Sequence, residues 1–327
     1  MRVNDPKPNT EATSTHLNYQ LEPTPPLKNV HIIVNPASGQ TGLNLPELNK
    51  VMQELEIDWE MFVTSKGGQA GERAAQSIAA GVDAIAVYGG DGTVLEVASQ
   101  MSGTNIPLVI LPGGTANVLS MELGIPRDQR EASLLMGGDA TVVRPLDMGV
   151  LVGGKPDGSD LMFFHLGIGL EGVLHDEADR DAKDRSGMFA YFTAALKSLT
   201  NPTSTHFRIM IDGQMIEADG INLMITNFGS VGVPGIKLSH AVDVSDGVLD
   251  IINIKDANFG SLLTAAANAV TSGELAQALE HWQGKEVIVE ADPPQKLAID
   301  GELIDAEKIH VKILPQAVRV VVPAPQE

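Results

Sequence analysis

The sequence predicts an α/β fold, a doubly wound parallel sheet followed by a second, β-rich antiparallel sandwich. Three observations predict it. Up to about Arg144, apolar strand-like runs alternate with amphipathic helical ones, and a βαβα order implies a parallel sheet covered on both faces. Beyond Arg144, strand-like runs crowd together with few helical segments between them. One pair of those runs is joined by Asp212-Gly213, the two-residue signal of a tight antiparallel hairpin.

In the first part, Val30–Val34 reads as a buried strand. Leu48, Val51, Met52 and Leu55 recur at i, i+3, i+4 and i+7, which predicts an amphipathic helix over 45–56. Trp59–Val63 is the next strand, Thr64–Gly68 a loop, and a helix follows through Ala80. Ala84–Val87 and Leu108–Leu111 are two further apolar strands, each followed by a glycine-bearing turn and a helical pattern. In the second part the expected strands are Leu161–Leu166, His206–Ile211, Gln214–Ala218, Ile221–Thr226, Val248–Ile254, Glu286–Glu290, Lys296–Ile299, Lys308–Ile313 and Val318–Val322. Helical inserts are expected near 187–199 and 259–271. The N-terminal stretch is rich in Pro, Thr and Asn and lacks an apolar core, so residues 1–27 read as a disordered arm and not as a signal peptide.

Three of the first-part strands end in polar loops: Asn35-Pro36-Ala37-Ser38-Gly39, Gly89-Gly90-Asp91-Gly92-Thr93 and Pro112-Gly113-Gly114-Thr115-Ala116-Asn117. In a parallel sheet such loops share the carboxyl edge, where ligands bind. Glycines there let backbone approach a ligand, and the helix that follows offers unpaired N–H groups to an anion. Asp91 within such a cradle would repel phosphate unless a divalent cation or a hydrogen-bond network intervenes. The set therefore reads as a nucleotide-binding domain that works with a metal. Taken singly, each glycine turn could merely close a strand–helix unit, and Thr64, Thr93 or Thr115 could merely cap a helix. No G-x-x-x-x-G-K-[ST] occurs, so the chain is not expected to be a P-loop enzyme.

The three loops, in this order and spacing, resemble the catalytic domain of the diacylglycerol kinase and sphingosine kinase family, with the bacterial soluble lipid kinases as the nearest likeness. The likeness runs from about residue 28 to about residue 323. Gly-Gly-Asp-Gly-Thr is shared with NAD kinases and more loosely with phosphofructokinases. Leu111 to Asn117 is more particular to the lipid kinases. Leu95-Glu96 departs from the Asn-Glu of many members. The resemblance implies ATP contact by Asn35, Pro36, Ala37, Ser38, Gly39, Thr64, Gly89, Gly90, Asp91, Gly92, Thr93, Val94, Leu95 and Thr115. It also implies that the last strand returns to the first domain, giving an ATP-binding domain over 28–144 with 311–325 and a lipid-substrate domain over 145–310.

Phosphoryl transfer also needs a group to accept the proton of the receiving hydroxyl. Asp300-Gly301-Glu302 is the candidate, although Asp-Gly alone reads as a hairpin turn, as at Asp212-Gly213. The family carries Asp-Gly-Glu near this position. The resemblance implies Glu302 as the base, with Asp300 its close partner or the base itself. Two carboxylates so close should raise one of the two pKa values, which suits proton acceptance near neutrality. Asp243 to Asp250 is a third acidic stretch whose hard oxygens at a turn suit Mg²⁺, although Asp246-Gly247 could be a turn alone. The resemblance implies a structural Mg²⁺ on Asp243, Asp246 and the carbonyl of Val248, with Asp147 linking that site to the first domain. Asp246→Ala should then lower both thermal stability and activity. Gly167-Ile168-Gly169-Leu170-Glu171-Gly172 matches G-x-G-x-x-G but lacks the following strand with its acidic residue, so it reads as close backbone packing and not as a dinucleotide site. The mixed-charge stretch 176–185 reads as a solvated helix face, and 187–199 as core or as the lining of a lipid entrance.

The chain has 327 residues, a formal charge of −20 and no cysteine. That excludes a disulfide framework and thiolate chemistry, and it argues against nucleic acid, which needs a basic face. It also argues against strong docking on anionic lipid, though not against a neutral lipid held by apolar contacts. No apolar run reaches the roughly 18–20 residues that span a bilayer. The sequence therefore predicts an ATP- and Mg²⁺-dependent lipid kinase in the cytoplasm, visiting a membrane surface for a substrate of which diacylglycerol is the first guess. A homodimer stays open. Rival readings are an NAD kinase-like enzyme with a soluble acceptor, a catalytically idle nucleotide-binding regulator, and an oxidoreductase built on Gly167.

Overall fold

The computed structural model describes residues 20–38, 42–169, 204–229, 242–255, 279–304 and 309–325. Their strands are β1 (Glu22–Pro23), β2 (Asn29–Val34), β3 (Asp58–Val63), β4 (Ala84–Gly89), β5 (Leu108–Pro112), β6 (Thr141–Leu151), β7 (Leu161–Phe163), β8 (His165–Gly169), β9 (Thr205–Ile211), β10 (Gln214–Gly220), β11 (Asn222–Thr226), β12 (Leu249–Ile254), β13 (Leu279–Gly284), β14 (Glu286–Asp292), β15 (Leu297–Ile299), β16 (Glu302–Ile304) and β17 (Ile309–Pro323). The helices are α1 (Leu45–Glu54), α2 (Gln69–Ala80), α3 (Asp91–Met101), α4 (Val118–Glu122) and α5 (Gln129–Leu134). No helix among the described residues is long and apolar enough to cross a membrane.

β3, β2, β4 and β5 pair in parallel in that order. β4 is buried along its whole length, as its unbroken apolar run requires of a central parallel strand. Asn44 caps α1 by accepting the Glu47 N–H, and Leu48, Val51 and Met52 form its buried face. Gly68 and Gly81, both with positive φ, bracket α2.

β17 joins the two halves. One of its edges pairs antiparallel with β14 near Val311 and in parallel with β5 at Val320; the other pairs antiparallel with β6. The chain thus passes between the halves along two continuous strands, with positions 144–145 and 310–311 inside β6 and β17. The second half is a sandwich. β10, β9, β14 and the first half of β17 face a six-stranded antiparallel layer of order β13-β12-β11-β8-β15-β16. Alternate residues of both layers meet in one core, among them Phe207 and Ile209 from one and Leu223, Ile225, Leu249 and Ile251 from the other.

Several expectations need correction. Leu161–Leu166 is two strands in different sheets: Phe163 enters the sandwich core, whereas Phe164 enters the core of the parallel half, so the chain changes layer between them. Lys308–Ile313 and Val318–Val322 are one strand, irregular between Leu314 and Val318, where Pro315 lacks an N–H and Gln316 adopts φ 51°. β6 and β13 were not expected, because Arg144, Pro145 and Asp147 interrupt the apolar pattern of one and half-burial blurs that of the other. Of the arm assigned to 1–27, residues 20–27 are largely exposed but tied down at three points: Glu22 and Pro23 pair with β6, Thr24 and Thr141 share a hydroxyl bond of 2.7 Å, and Leu27 is buried. Proline-rich backbone cannot coil into a helix, but it can lie extended along a sheet edge. Residues 1–19 and the helical inserts near 187–199 and 259–271 lie outside the described residues, as does the charged stretch 176–185.

Candidate active site

The three glycine-bearing loops meet at the carboxyl edge of the parallel sheet. The Asn35 N–H donates to the Tyr88 carbonyl (2.9 Å), and its side-chain amide donates to the Thr93 hydroxyl (2.9 Å). The Gly90 N–H donates to Ser38 Oγ (3.2 Å). Gly113 N–H donates to the Gly89 carbonyl (2.9 Å). A Cβ on Gly114 would lie 2.6 Å from the Gly90 Cα, and one on Gly89 would lie 2.6 Å from Thr93 Cβ. The second and third loops therefore lie back to back at a spacing only glycine permits. Asn117, buried at φ 49°, staples the third loop: its Oδ1 accepts from Gly114 N–H and its Nδ2 donates to the Gly114 carbonyl. Sequence reasoning quoted Asn117 within the motif without giving it this role.

Asp91 opens α3, and its carboxylate accepts the Leu119 N–H (3.1 Å) at the start of α4. Burial pushes its pKa up, against backbone N–H groups of α4 that favour the ionised form. Asp91 thereby ties the start of α3 to the start of α4.

Pro36 and Ala37 are exposed in the first loop, Gly92 at the head of α3 and Thr115 in the third loop. Thr64 is buried after β3, with its hydroxyl on the Val34 carbonyl (3.3 Å). Val94 and Leu95 are not brought to the loop surface. Val94 is buried with its N–H bonded to the Gly90 carbonyl, and Leu95 packs against the core. Glu96 accepts the Ala70 N–H (3.2 Å), tying α3 to the start of α2. Gly39 lies outside the described residues.

Asp300 and Gly301, at φ 44° and 90°, form the two-residue turn between β15 and β16, so the hairpin reading of Asp-Gly holds. The Asp300 carboxylate does more than shape the turn. It faces inward and accepts the Phe164 N–H and the His165 N–H, each at 3.0 Å. Its pKa is pushed up to about 7, chiefly by burial and also by the nearby charge of Asp91, while the His165 imidazole pulls the other way. Through Phe164, which packs in the core of the parallel half, the turn of the sandwich is tied to the half that carries the glycine loops. Glu302 is exposed on β16.

A second acidic cluster joins the halves. Asp147 on β6 is fully buried; its oxygens accept the Gly247 N–H and the Gln316 N–H, each at 2.6 Å. Arg144 pairs with Asp243 at 2.6 Å. Asp246 accepts the Val248 N–H (3.1 Å), and its pKa is pushed up to about 7 by burial and then by Asp250, Asp243 and Asp147. Asp250 is fully buried, holds His281 Nε2 at 2.6 Å, and leaves Oδ2 without a hydrogen-bond partner. Among the described residues no three acidic, His or Cys side chains converge as an ion cage. The implied set is different, two carboxylates and one carbonyl. Asp246 lies buried among like charges that a hard cation would offset, whereas Asp243 is partly exposed and already paired with Arg144, and the unpartnered oxygen belongs to Asp250, outside that set. The approach of Asp250 and His281 escaped the sequence reading, because only strand register brings them together.

Gly167 and Gly169 lie on β8, which pairs antiparallel with β11 and β15. A Cβ on Gly169 would lie 2.8 Å from the Ile221 carbonyl oxygen. Close backbone packing explains Gly169, and the antiparallel pairing of β8 is not that of a parallel dinucleotide unit; Leu170 to Gly172 lie outside the described residues.

Two family models match this chain. Residues 29–150 match the diacylglycerol kinase catalytic domain, and residues 166–322 match the "YegS C-terminal NAD kinase beta sandwich-like domain". A protein of Synechocystis sp. named "Uncharacterized protein sll0036" is 29% identical over 317 residues, covering 90% of this chain and 70% of its own. A Staphylococcus aureus (strain JH9) protein named "Putative lipid kinase SaurJH9_0749" is 26% identical over 243 residues, 73% of this chain and 77% of its own. A crystal structure described as that of "a putative diacylglycerol kinase from Bacillus anthracis str. Sterne" superposes with a TM-score of 0.77 at 26% identity, over 91% of this chain and 98% of the other. The interlocked glycine loops and the strand return through β17 agree with these two matches: the parallel half is similar to the diacylglycerol kinase catalytic domain, and the sandwich to the C-terminal domain that the second model describes.

Proposed function

We propose that this protein is a lipid kinase that transfers the γ-phosphoryl group of ATP to a lipid hydroxyl, with diacylglycerol the first substrate to test. The observation that supports the reading is the placement of the Asp300 turn: its carboxylate holds the Phe164 and His165 N–H groups, and Phe164 packs into the core of the half that carries the glycine loops. The loops hold the nucleotide, with the first-turn N–H groups of α3 and the Thr115 loop at the phosphates. The lipid hydroxyl enters between the halves. Asp300 accepts its proton; a pKa of about 7 suits a general base at neutral pH, whereas Glu302 is exposed on the edge strand. Mg²⁺ would be held by Asp243, Asp246 and the Val248 carbonyl, and it would supply the positive charge that lets this acidic cluster stay ionised. The protein works in the cytoplasm and meets its substrate at the membrane surface.

A second reading is favoured by one finding, the NAD kinase likeness of the sandwich match. In that reading the acceptor is a soluble nucleotide. Incubation of pure protein with labelled ATP, Mg²⁺, detergent-dispersed lipids and NAD separates the two. Label in a lipid is expected. Label in NAD alone would replace this reading with the second, and ATP binding without transfer to any acceptor would point to a nucleotide-binding regulator.

A further inference from the structure

We propose that β3 is the contact edge of a symmetric homodimer, in which two copies of this chain pair β3 against β3, antiparallel about Met61. The kinase reading plays no part in it. Among the described residues β3 ends its sheet and pairs only with β2. An open edge invites a further strand, and natural sheets usually blunt it with Lys, Pro or a bulge. β3 reads Asp58-Trp59-Glu60-Met61-Phe62-Val63, without Lys, Pro or Gly, and its register with β2 is unbroken. It leaves Met61 36% and Val63 57% exposed.

Backbone direction fixes which groups face outward. The Asp58 N–H donates to the Lys28 carbonyl (2.8 Å) and the Thr64 N–H to the Val34 carbonyl (2.9 Å), both on the β2 side. Hydrogen-bonding groups alternate along a strand, so Glu60 and Phe62 also face β2. Trp59, Met61 and Val63 therefore turn their N–H and C=O groups to the open edge. In an antiparallel pair, the residues that exchange both hydrogen bonds must come from this outward set. The register that uses all three sets Met61 opposite Met61 of the second copy and Trp59 opposite its Val63. One face of the junction is then apolar throughout.

On the other face Glu60 stands opposite Phe62 of the second copy, a non-hydrogen-bonded pair whose side chains lie close together. Arg73 of α2 lies over the Phe62 ring, its guanidinium carbon 5.3 Å from the centroid. Glu60 of each copy thus meets Arg73 of the other, twice by symmetry. Within one chain the Glu60 side chain is 70% exposed, with His31 Nε2 4.0 Å away, and Arg73 donates to the neutral Gln76 (2.6 Å). The edge is therefore complementary to itself in charge as well as in shape, as an isologous interface requires. The same charges select the register. Sliding by two residues one way sets Glu60 against Glu60. Sliding the other way sets Phe62 against Phe62 and brings the two Arg73 groups together.

The test needs no ligand. Sedimentation of the full chain is expected to show a species of twice the chain mass. Glu60→Arg and Arg73→Glu each put like charges at both ends of the junction, so each alone should sediment as a monomer where wild type is a dimer. The two changes in one chain, or the two single variants mixed, should restore the dimer, which a variant that merely failed to fold could not do. A second measurement reads the register. The chain has no cysteine, so Met61→Cys carries a single thiol. A hydrogen-bonded antiparallel pair sets its Cα about 5.5 Å from its symmetry mate, within disulfide range, and oxidation should give a covalent dimer. Met215→Cys, 62% exposed on the other outer strand β10, should stay monomeric under the same oxidation. A wild type that sediments as a monomer would overturn the proposal. So would a dimer that both charge variants leave intact, or cross-linking of Met215→Cys as readily as Met61→Cys.

Discussion

Asp300 holds a carboxylate in a turn where any small polar residue could have made the bend. Its cost in desolvation is explained if the group must be neutral in one step and ionised in the next. Asp300→Asn is expected to lower kcat by roughly 100-fold or more, the usual contribution of a positioned base, with nucleotide affinity nearly unchanged. A variant within twofold of wild type would contradict the role. Asp246 gives a pH prediction. Its folded pKa of about 7 lies above the ordinary 3.8, so its contribution to stability is fullest below pH 3.8 and is lost as pH rises through 7. On the proposed reading a bound cation would replace the proton. Mg²⁺ is therefore expected to raise the melting temperature clearly at pH 8 and little at pH 5, and Asp246→Ala should lose the pH 8 effect. An equal shift at both pH values, or in the variant, would contradict it. Of these residues the sequence offered Asp300 and Asp246 through local patterns, Asp-Gly-Glu and an acidic turn. It could not offer His165, which meets Asp300 only through the register that sets Ile299 opposite Leu166.

At the scale of elements, the candidate site is a set of turns whose glycines touch. Gly114→Ala would place a methyl carbon 2.6 Å from the Gly90 Cα, against backbone that cannot rotate away. The loops must separate, at a cost of about 1–3 kcal/mol, and the KM for ATP should rise. A variant with unchanged melting temperature and KM would show that the contact is unimportant. The parallel strands and their loops were legible, because buried parallel strands read as unbroken apolar runs and their helices carry caps and glycine stops. Elements that break such rules were hidden. β6 carries Arg144, Pro145 and Asp147, and those residues serve the junction and not the apolar pattern.

In the whole molecule, the two halves share β6 and β17 and are fastened by one buried carboxylate. Asp147 takes N–H groups from the β17 irregularity and from the Gly247 turn, so the parallel half, the sandwich and the acidic cluster meet at one side chain. Asp147→Ala leaves the buried Gly247 N–H without an acceptor and releases the Gln316 N–H, and is expected to cost about 1–3 kcal/mol. Because the strands run unbroken, wild type should unfold in one calorimetric transition; two separate transitions would mean that the halves fold independently. The return of the last strand came to the sequence reading through family likeness and not through periodicity. Two short apolar runs separated by Pro315 look like two strands until their common partner β6 is known.

The central claim is that the loops after β2, β4 and β5 form one nucleotide site facing Asp300. The most direct measurement is a crystal structure of the protein with Mg²⁺ and a non-hydrolysable ATP analogue. The account predicts phosphate oxygens in hydrogen-bond range of the first turn of α3 and of the Thr115 loop, with the γ-phosphorus turned towards Asp300. A nucleotide bound elsewhere, with these loops empty, would contradict it.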